Sequence, residues 1–343
     1  MSIQVLNTGI LSFGMSGRLF HAPFIDAHPG FTFSALVERR EKKAQVLYPR
    51  ITSYDSVKDL LEDKSIQLVI VNTPNGLHYE HAKAAMMAGK HVLVEKPATV
   101  SLAELNELYE IADKKGVHYL AYQNRRWDSD YQSIRQVIES NQLGNLIEVH
   151  FRYDRYKAEI EAKPFKESPD SPGNGLVYAL GPHLLDQAIS LFGKPISSHK
   201  ITGINRKGSL VPDYFSYQLK YNNQLNVFLT SSLLVAHPLP AFVLHGTKGS
   251  YIKKRTDVQE AQLLVNMKPS DPAYGLEPEI NAGELTIAGD DNKIRTEPVK
   301  AGKSNYMGLF EAVYQQIVNN QPYPVTRDQL RWQIELLEKT VSL

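Results

Sequence analysis

Short apolar runs alternate with amphipathic stretches along the first third of the chain, and the pattern changes near residue 122. Ile3–Ile10 is a short apolar strand pattern with glycine after it. Gly14–Ala27 carries Leu19, Phe20, Phe24 and Ile25 as a helical stripe. Phe33–Val37 predicts a second strand and Val57–Leu61 a short helix. Ile66–Val71 is the near-continuous apolar run expected of a strand buried on both faces. His78–Ala88 predicts a helix stopping at Gly89, and His91–Val94 a strand. Ser101 and Glu104 have the spacing of a capping box, opening a helix to Lys115 that Gly116 closes. Val117–Tyr122 predicts another strand. Repeated strand–helix–strand units imply a parallel, doubly wound sheet.

Beyond residue 122 helices become sparse. Asp130–Ser140 and Gly181–Phe192 predict helices, whereas Leu146–Tyr156, His199–Ile204, Tyr214–Tyr221, Leu225–Ser232, Ala241–His245 and Ser250–Lys253 predict strands. With few helices between the later strands, antiparallel pairing is expected. Residues 256–303, rich in Pro, Gly, Asp and Asn, predict irregular chain, and Tyr306–Val318 and Arg327–Leu337 predict two closing helices. The fold class expected is α/β: a doubly wound parallel sheet over residues 1–122, then an α+β domain over 123–343 with a mostly antiparallel sheet, its last helices able to pack back on the first domain.

Composition narrows the function. The length of 343 residues suits two domains of ~100–200 residues each. Hydrophobic residues at 42% and charged residues at 22% exclude a wholly disordered chain. The 38 Lys and Arg against 37 Asp and Glu leave no field to attract nucleic acid or an anionic membrane. The absence of Cys removes a disulfide scaffold, a thiolate nucleophile and a Cys-based zinc site. The N-terminal stretch has no basic region, and Asn7, Thr8 and Gly9 interrupt its apolar residues, so a secretory leader is not expected. No run approaches the ~20 apolar residues of a membrane span. The expectation is a cytoplasmic protein.

The candidate chemistry lies where strands end. Ser12-Phe13-Gly14-Met15-Ser16-Gly17 is G-x-G-x-x-G with Ser in the first place. In a dinucleotide site the middle Gly lets backbone approach the pyrophosphate, the last allows close helix–strand packing, and the helix N-terminus faces the anion. Following a strand and opening a helix is the context such a motif requires. The second strand ends at Glu38-Arg39-Arg40. Glu38 stands where a carboxylate can accept from ribose hydroxyls, which leans toward NAD, whereas Arg39 and Arg40 could hold the 2′-phosphate of NADP. Asn72-Thr73-Pro74-Asn75 turns the chain at the sheet's carboxyl edge, where ligands bind in such folds. His78 and His81, at helical i, i+3 spacing, suit a helix-start or capping role better than a metal, because no third ligand is apparent. Glu95-Lys96-Pro97 puts a lysine at a strand's carboxyl end, where it can donate to a substrate hydroxyl or share its proton.

The segments SFGMSG, NTPNGLHYEHA, AGKHVLVEKP, QNRRWDSDY and LGPHLLDQ together resemble the glucose–fructose oxidoreductase / inositol dehydrogenase (Gfo/Idh/MocA) family, in particular its scyllo-inositol dehydrogenase-like branch. The resemblance runs through nearly the whole chain and is weakest over 256–303. It implies a Rossmann domain binding NAD or NADP. It also implies an α/β domain whose open sheet supplies substrate contacts on one face and often a subunit interface on the other. Family members oxidise a secondary alcohol of a sugar or polyol, or reduce the ketone. Carried over, Lys96 and His183 are the catalytic candidates. Ser12, Phe13, Gly14, Met15, Ser16, Glu38, Arg39, Thr73, Pro74, Asn75, His78, Glu95, Lys96, Asn124 and Trp127 are the cofactor candidates. Arg126, Arg155, Tyr156 and His183 are the substrate candidates. No metal, nucleic-acid or membrane partner is implied, and a homo-oligomer, dimer or tetramer, is. Trp127 could equally fill space between packed elements.

One departure matters. Many members carry Asp four residues before the histidine, and this chain has Ala179 there. Asp186, at i+3 from His183, could partner the imidazole or be structural. The departure keeps open two other readings: a glycoside-processing enzyme that oxidises its sugar transiently and returns the hydride, and a non-enzymatic nucleotide sensor on the same fold.

Overall fold

The computed structural model describes residues 4–160, 167–289, 291 and 293–341. Ile3, at the head of the first expected strand, lies outside them. The chain forms two compact units. The first takes the chain up to Asn124 with Gln259–Tyr274 and Asn305–Thr326, and the second takes Arg125–Val258, Gly275–Ser304 and the chain from Arg327.

In the first unit, β1 (Leu6–Ile10), β2 (Phe31–Val37), β3 (Thr52–Tyr54), β4 (Leu68–Val71), β5 (His91–Val94) and β6 (Tyr119–Ala121) form one parallel sheet in the order β3-β2-β1-β4-β5-β6. All four residues of β4 are buried, as its unbroken apolar run requires. The order reverses between β1 and β4, which opens a crevice at the carboxyl ends of the strands. Ser101 caps the helix Leu102–Lys115 by accepting from Glu104 N–H at 3.2 Å. Gly116 ends that helix at φ +65°, a left-handed turn that suits glycine. The helix Tyr306–Asn319 joins this unit and stacks Phe310 on Phe24 at 5.2 Å between ring centroids.

The helix expected over 14–27 is not uniform. Gly17–His21 is π-helical and Ala22–Ala27 α-helical, with Ala22 N–H donating five residues back to Gly17 O. Pro23 has no N–H and crowds the preceding turn, so widening that turn relieves it.

The second unit carries β7 (Leu146–Arg152), β8 (Ser197–Gly203), β9 (Tyr214–Lys220), β10 (Asn226–Ser232), β11 (Phe242–Gly246), β12 (Gly249–Lys253), β13 (Gly283–Ala288) and β14 (Ile294–Val299), in the order β14-β13-β12-β11-β7-β10-β9-β8. Neighbours run antiparallel except β7 and β10. Val149, Phe151, Phe215, Tyr217, Val227 and Leu229 bury one face, against which the helix Leu176–Phe192 packs.

Several boundaries depart from expectation. Residues 256–303 are not irregular throughout: they contain the helix Gln259–Leu264, β13 and β14. β14 is an edge strand, exposed from Ile294 to Pro298, so it lacks the alternation that reveals a half-buried strand, and an edge tolerates its proline. The helix expected from Gly181 begins at Leu176 and contains Pro182. Burial of most residues from Leu176 to Ile189 outweighs the Gly-Pro break. β7 ends at Arg152, and Tyr156 makes only an isolated bridge to Leu234. Among the described residues no helix is long and apolar enough to cross a membrane.

Candidate active site and nucleotide site

The turn after β1 is tied to the loop after β4. Asn72 donates to Ser12 O at 2.8 Å and to Ser16 Oγ at 3.3 Å, and Gly14 N–H donates to Ser12 Oγ at 3.3 Å. At Gly17 a Cβ would run into the Ser12 carbonyl and press on the Asn72 amide. That is the close helix–strand approach the last glycine of a dinucleotide turn allows. Met15 is exposed on the turn. Gly17→Ala is therefore expected to destabilise the fold by about 1–3 kcal/mol and to weaken nucleotide binding. Thermal unfolding and a nucleotide titration of the variant check both.

At the end of β2 the carboxylate of Glu38 turns inward. It accepts from Ala44 N–H at 3.2 and 3.4 Å and from Ser53 Oγ at 3.2 Å, and the side chain is buried. Arg39 and Arg40 are exposed beside it. Burial, the neighbouring His78 and the Arg39 charge push His81 below its ordinary value.

Past β4 and β5 two loops are held together by one histidine. His78 is buried, with Nε2 at 2.8 Å from Thr73 O and Nδ1 at 2.7 Å from Pro97 O. Burial pushes it below its ordinary value, against the pull of those two carbonyls. His81 Nδ1 meets Thr73 Oγ1 at 2.9 Å. Glu95 lies beneath Lys96, paired with buried His21 at 2.9 Å, and also accepts from Lys96 N–H at 3.2 Å. Burial acts to raise the Glu95 carboxyl. The His21 hydrogen bond and the charges of His21, Lys96 and His78 outweigh that and hold it below the ordinary carboxylate range. Lys96 joins Pro97 through a cis peptide bond.

The first unit thus gathers Ser12, Gly14, Ser16, Thr73, His78, Glu95 and Lys96 on loops and helix starts that follow the strands of its sheet, with Asn124 buried after β6. Trp127, Arg126, Arg155, Tyr156 and His183 belong to the second unit. There Arg126 grips Asp186 in a buried bidentate pair at 2.7 and 2.8 Å and reaches Gln329 Oε1 at 3.1 Å. Asp186 is therefore committed to Arg126, and among the described residues it makes no hydrogen bond to His183. His183 is buried on the helix Leu176–Phe192, its ring 6.5 Å from that of Tyr153, while Ala179 is exposed one turn earlier. Arg155 donates to Tyr153 Oη at 3.3 Å, and Tyr156 is exposed. Among the described residues no group of His, Asp and Glu could hold a metal.

Three residues escape a sequence reading. His21 sits in an apolar helix stripe, and its pairing with Glu95 crosses 74 positions. Tyr153 opens the segment Tyr153–Lys157, whose resemblance to the family points to Arg155 and Tyr156 and gives the tyrosine itself no role. Arg255, stacked on Tyr153, follows β12 in a stretch without a motif. Period and spacing carry no signal for such long-range contacts.

Comparisons with known proteins fit this arrangement. A model described as "Oxidoreductase family, NAD-binding Rossmann fold" matches residues 6–123, and the "GFO/IDH/MocA C-terminal domain" matches 131–252. An uncharacterized oxidoreductase of Schizosaccharomyces pombe is 38% identical over 95% of this chain and 93% of its own length. The scyllo-inositol 2-dehydrogenase (NADP(+)) IolW of Bacillus subtilis is 33% identical over 95% of this chain and 90% of its own. The solved structure of the oxidoreductase yvaA from Bacillus subtilis has a TM-score of 0.94 at 31% identity and covers 98% of this chain and 95% of that one.

Proposed function

The chain belongs to the Gfo/Idh/MocA family of oxidoreductases, and on that premise we propose that it interconverts a secondary alcohol and a ketone on a sugar or cyclitol. The bound nicotinamide supplies the hydride chemistry. The chain's own residues bind, orient and handle the proton. Lys96 stabilises the developing alkoxide by donating to the reacting oxygen. His183 acts as general base or orients the hydroxyl. The observation that carries this reading is Lys96 at the carboxyl end of β5, on a loop braced by Glu95–His21 and by His78 against Pro97. The nucleotide domain is built on residues 1–122 and also holds Gln259–Tyr274 and Asn305–Thr326, and the substrate domain takes the rest of 123–343, in a homo-oligomer. Light scattering checks the last point.

NADP is the proposed partner in preference to NAD. The Glu38 carboxylate turns inward onto Ala44 N–H and Ser53 Oγ, whereas Arg39 and Arg40 are exposed and suit the two negative charges of a 2′-phosphate. IolW, an NADP(+) enzyme by name, supports this choice. A fluorescence titration is expected to give tighter binding of NADPH than NADH. Arg39→Ala should weaken NADPH about tenfold or more while leaving NADH nearly unchanged, because a charge-assisted hydrogen bond contributes ~1.5–3 kcal/mol. Equal affinities in the unmodified protein would overturn the choice.

With the tighter cofactor, a panel of cyclitols and sugars followed at the nicotinamide absorbance tests the reaction itself. Turnover of one member that is lost in His183→Ala supports the dehydrogenase reading. Cofactor binding without net turnover of any member turns the reading toward transient redox or sensing.

A further inference from the structure

Within the second unit, three guanidinium groups surround the ring of Tyr153. Arg255 lies 4.0 Å from its centroid, Arg125 5.0 Å and Arg155 5.1 Å. Two arginines of this neighbourhood have carboxylates of their own: Arg125 pairs with Asp128 at 2.9 Å, and Arg152 with Asp154 at 2.8 Å. Arg155 and Arg255 have none among the described residues. Arg255 gives one N–H to Arg152 O at 2.9 Å, but its Nε and Nη1 are buried without a partner. Among the described residues, Asp130, Asp257 and Glu277 also lie in this region. Asp130 is taken up by the backbone of Thr256 and Asp257, Asp257 by that of Ser129, and Glu277 by Lys253 and Ser129.

Two positive charges are thus left uncompensated against one buried tyrosine, 6.5 Å from the ring of His183. Stacking on an aromatic face fixes the plane of a guanidinium and favours its charge. It does not satisfy buried N–H groups, which remain costly until an acceptor arrives. Planar, pre-oriented guanidinium groups are matched by the oxygens of a carboxylate or phosphate.

We propose that Arg155 and Arg255, braced by Tyr153, form an anion subsite, so that the substrate is a carbohydrate bearing a carboxylate or phosphate rather than a neutral polyol. This rests on the oxidoreductase reading above, since it names the substrate class of that site. The neutral part of the molecule lies toward His183, and the anionic group toward the two arginines.

Calorimetric titration of the full-length protein with D-gluconate, D-glucose 6-phosphate and D-glucose tests it. One of the two anions is expected to bind at least about tenfold more tightly than glucose, with affinity falling as salt rises. The tighter of the two identifies carboxylate or phosphate. Arg155→Met and Arg255→Met should each weaken that anion about tenfold or more and change glucose by less than threefold. Arg155 is half-buried and pairs with no acid among the described residues, so its variant decides the matter if Arg255→Met fails to fold in a thermal scan. Equal binding of all three ligands, binding of none, or an anion preference that Arg155→Met leaves intact overturns the proposal. Anion binding that obeys these arginines without any change at the nicotinamide absorbance upholds the subsite and counts against the redox reading. Turnover of neutral polyols unaffected by either variant does the reverse.

Discussion

Lys96→Ala should leave the nicotinamide cofactor bound and reduce turnover by about 10²–10⁴-fold, the range that a positioned proton donor contributes. The loops that would hold the cofactor are fixed without the lysine side chain. Asn72 ties the Ser12–Gly17 turn to the sheet edge, and His78 ties Thr73 O to Pro97 O. Truncating Lys96 touches neither link. Glu95, its neighbour in the chain, keeps His21 as its partner at 2.9 Å. The deficit should therefore appear in kcat, with KM moving far less, as expected for an interaction made mainly in the transition state. Rates at the nicotinamide absorbance, beside a cofactor titration of the same variant, separate the two. Retention of more than a tenth of the activity would remove Lys96 from the chemistry. Loss of cofactor affinity together with the rate would make it a binding residue instead.

The first unit was legible because its signals are local. The central strands β4 and β5 are buried and show as apolar runs, and the Ser12–Gly17 turn and the EKP segment fall where strands end. The exceptions are short or wet. Thr52–Tyr54 has three residues, none buried, and Ala44–Leu47 is a single turn. β14 has no buried face at all, so hydrophobic period had nothing to detect. In the site, residue types were readable but commitments were not. Glu38 has the position of a ribose acceptor, yet folding spends its carboxylate on Ala44 and Ser53, and Ser53 lies on a strand too short to predict. Asp186 lies one helical turn from His183 in sequence, yet it faces Arg126, sixty positions away. Spacing along a helix says which residues share a face, and it is the partner packed against that face that decides what they bind.

That commitment carries the second large effect. Arg126→Ala should destabilise the protein by about 3–5 kcal/mol, because it strands the Asp186 carboxylate, which is itself almost wholly buried. Both Asp186 oxygens accept from Arg126, at 2.7 and 2.8 Å, and no other group among the described residues takes them over. For a domain of this size such a loss corresponds to a fall in Tm of roughly 6–20 °C. The double change Arg126→Leu with Asp186→Leu should recover most of it, since replacing both members of a buried pair with apolar side chains removes the unpaired charge along with the attraction. The pattern separates the two roles open to Arg126. A structural clamp gives a large thermal effect in the single variant, recovery in the double one, and modest changes in KM while the protein is folded. A substrate ligand gives a raised KM in both variants with little thermal cost in either. The buried bidentate geometry favours the clamp.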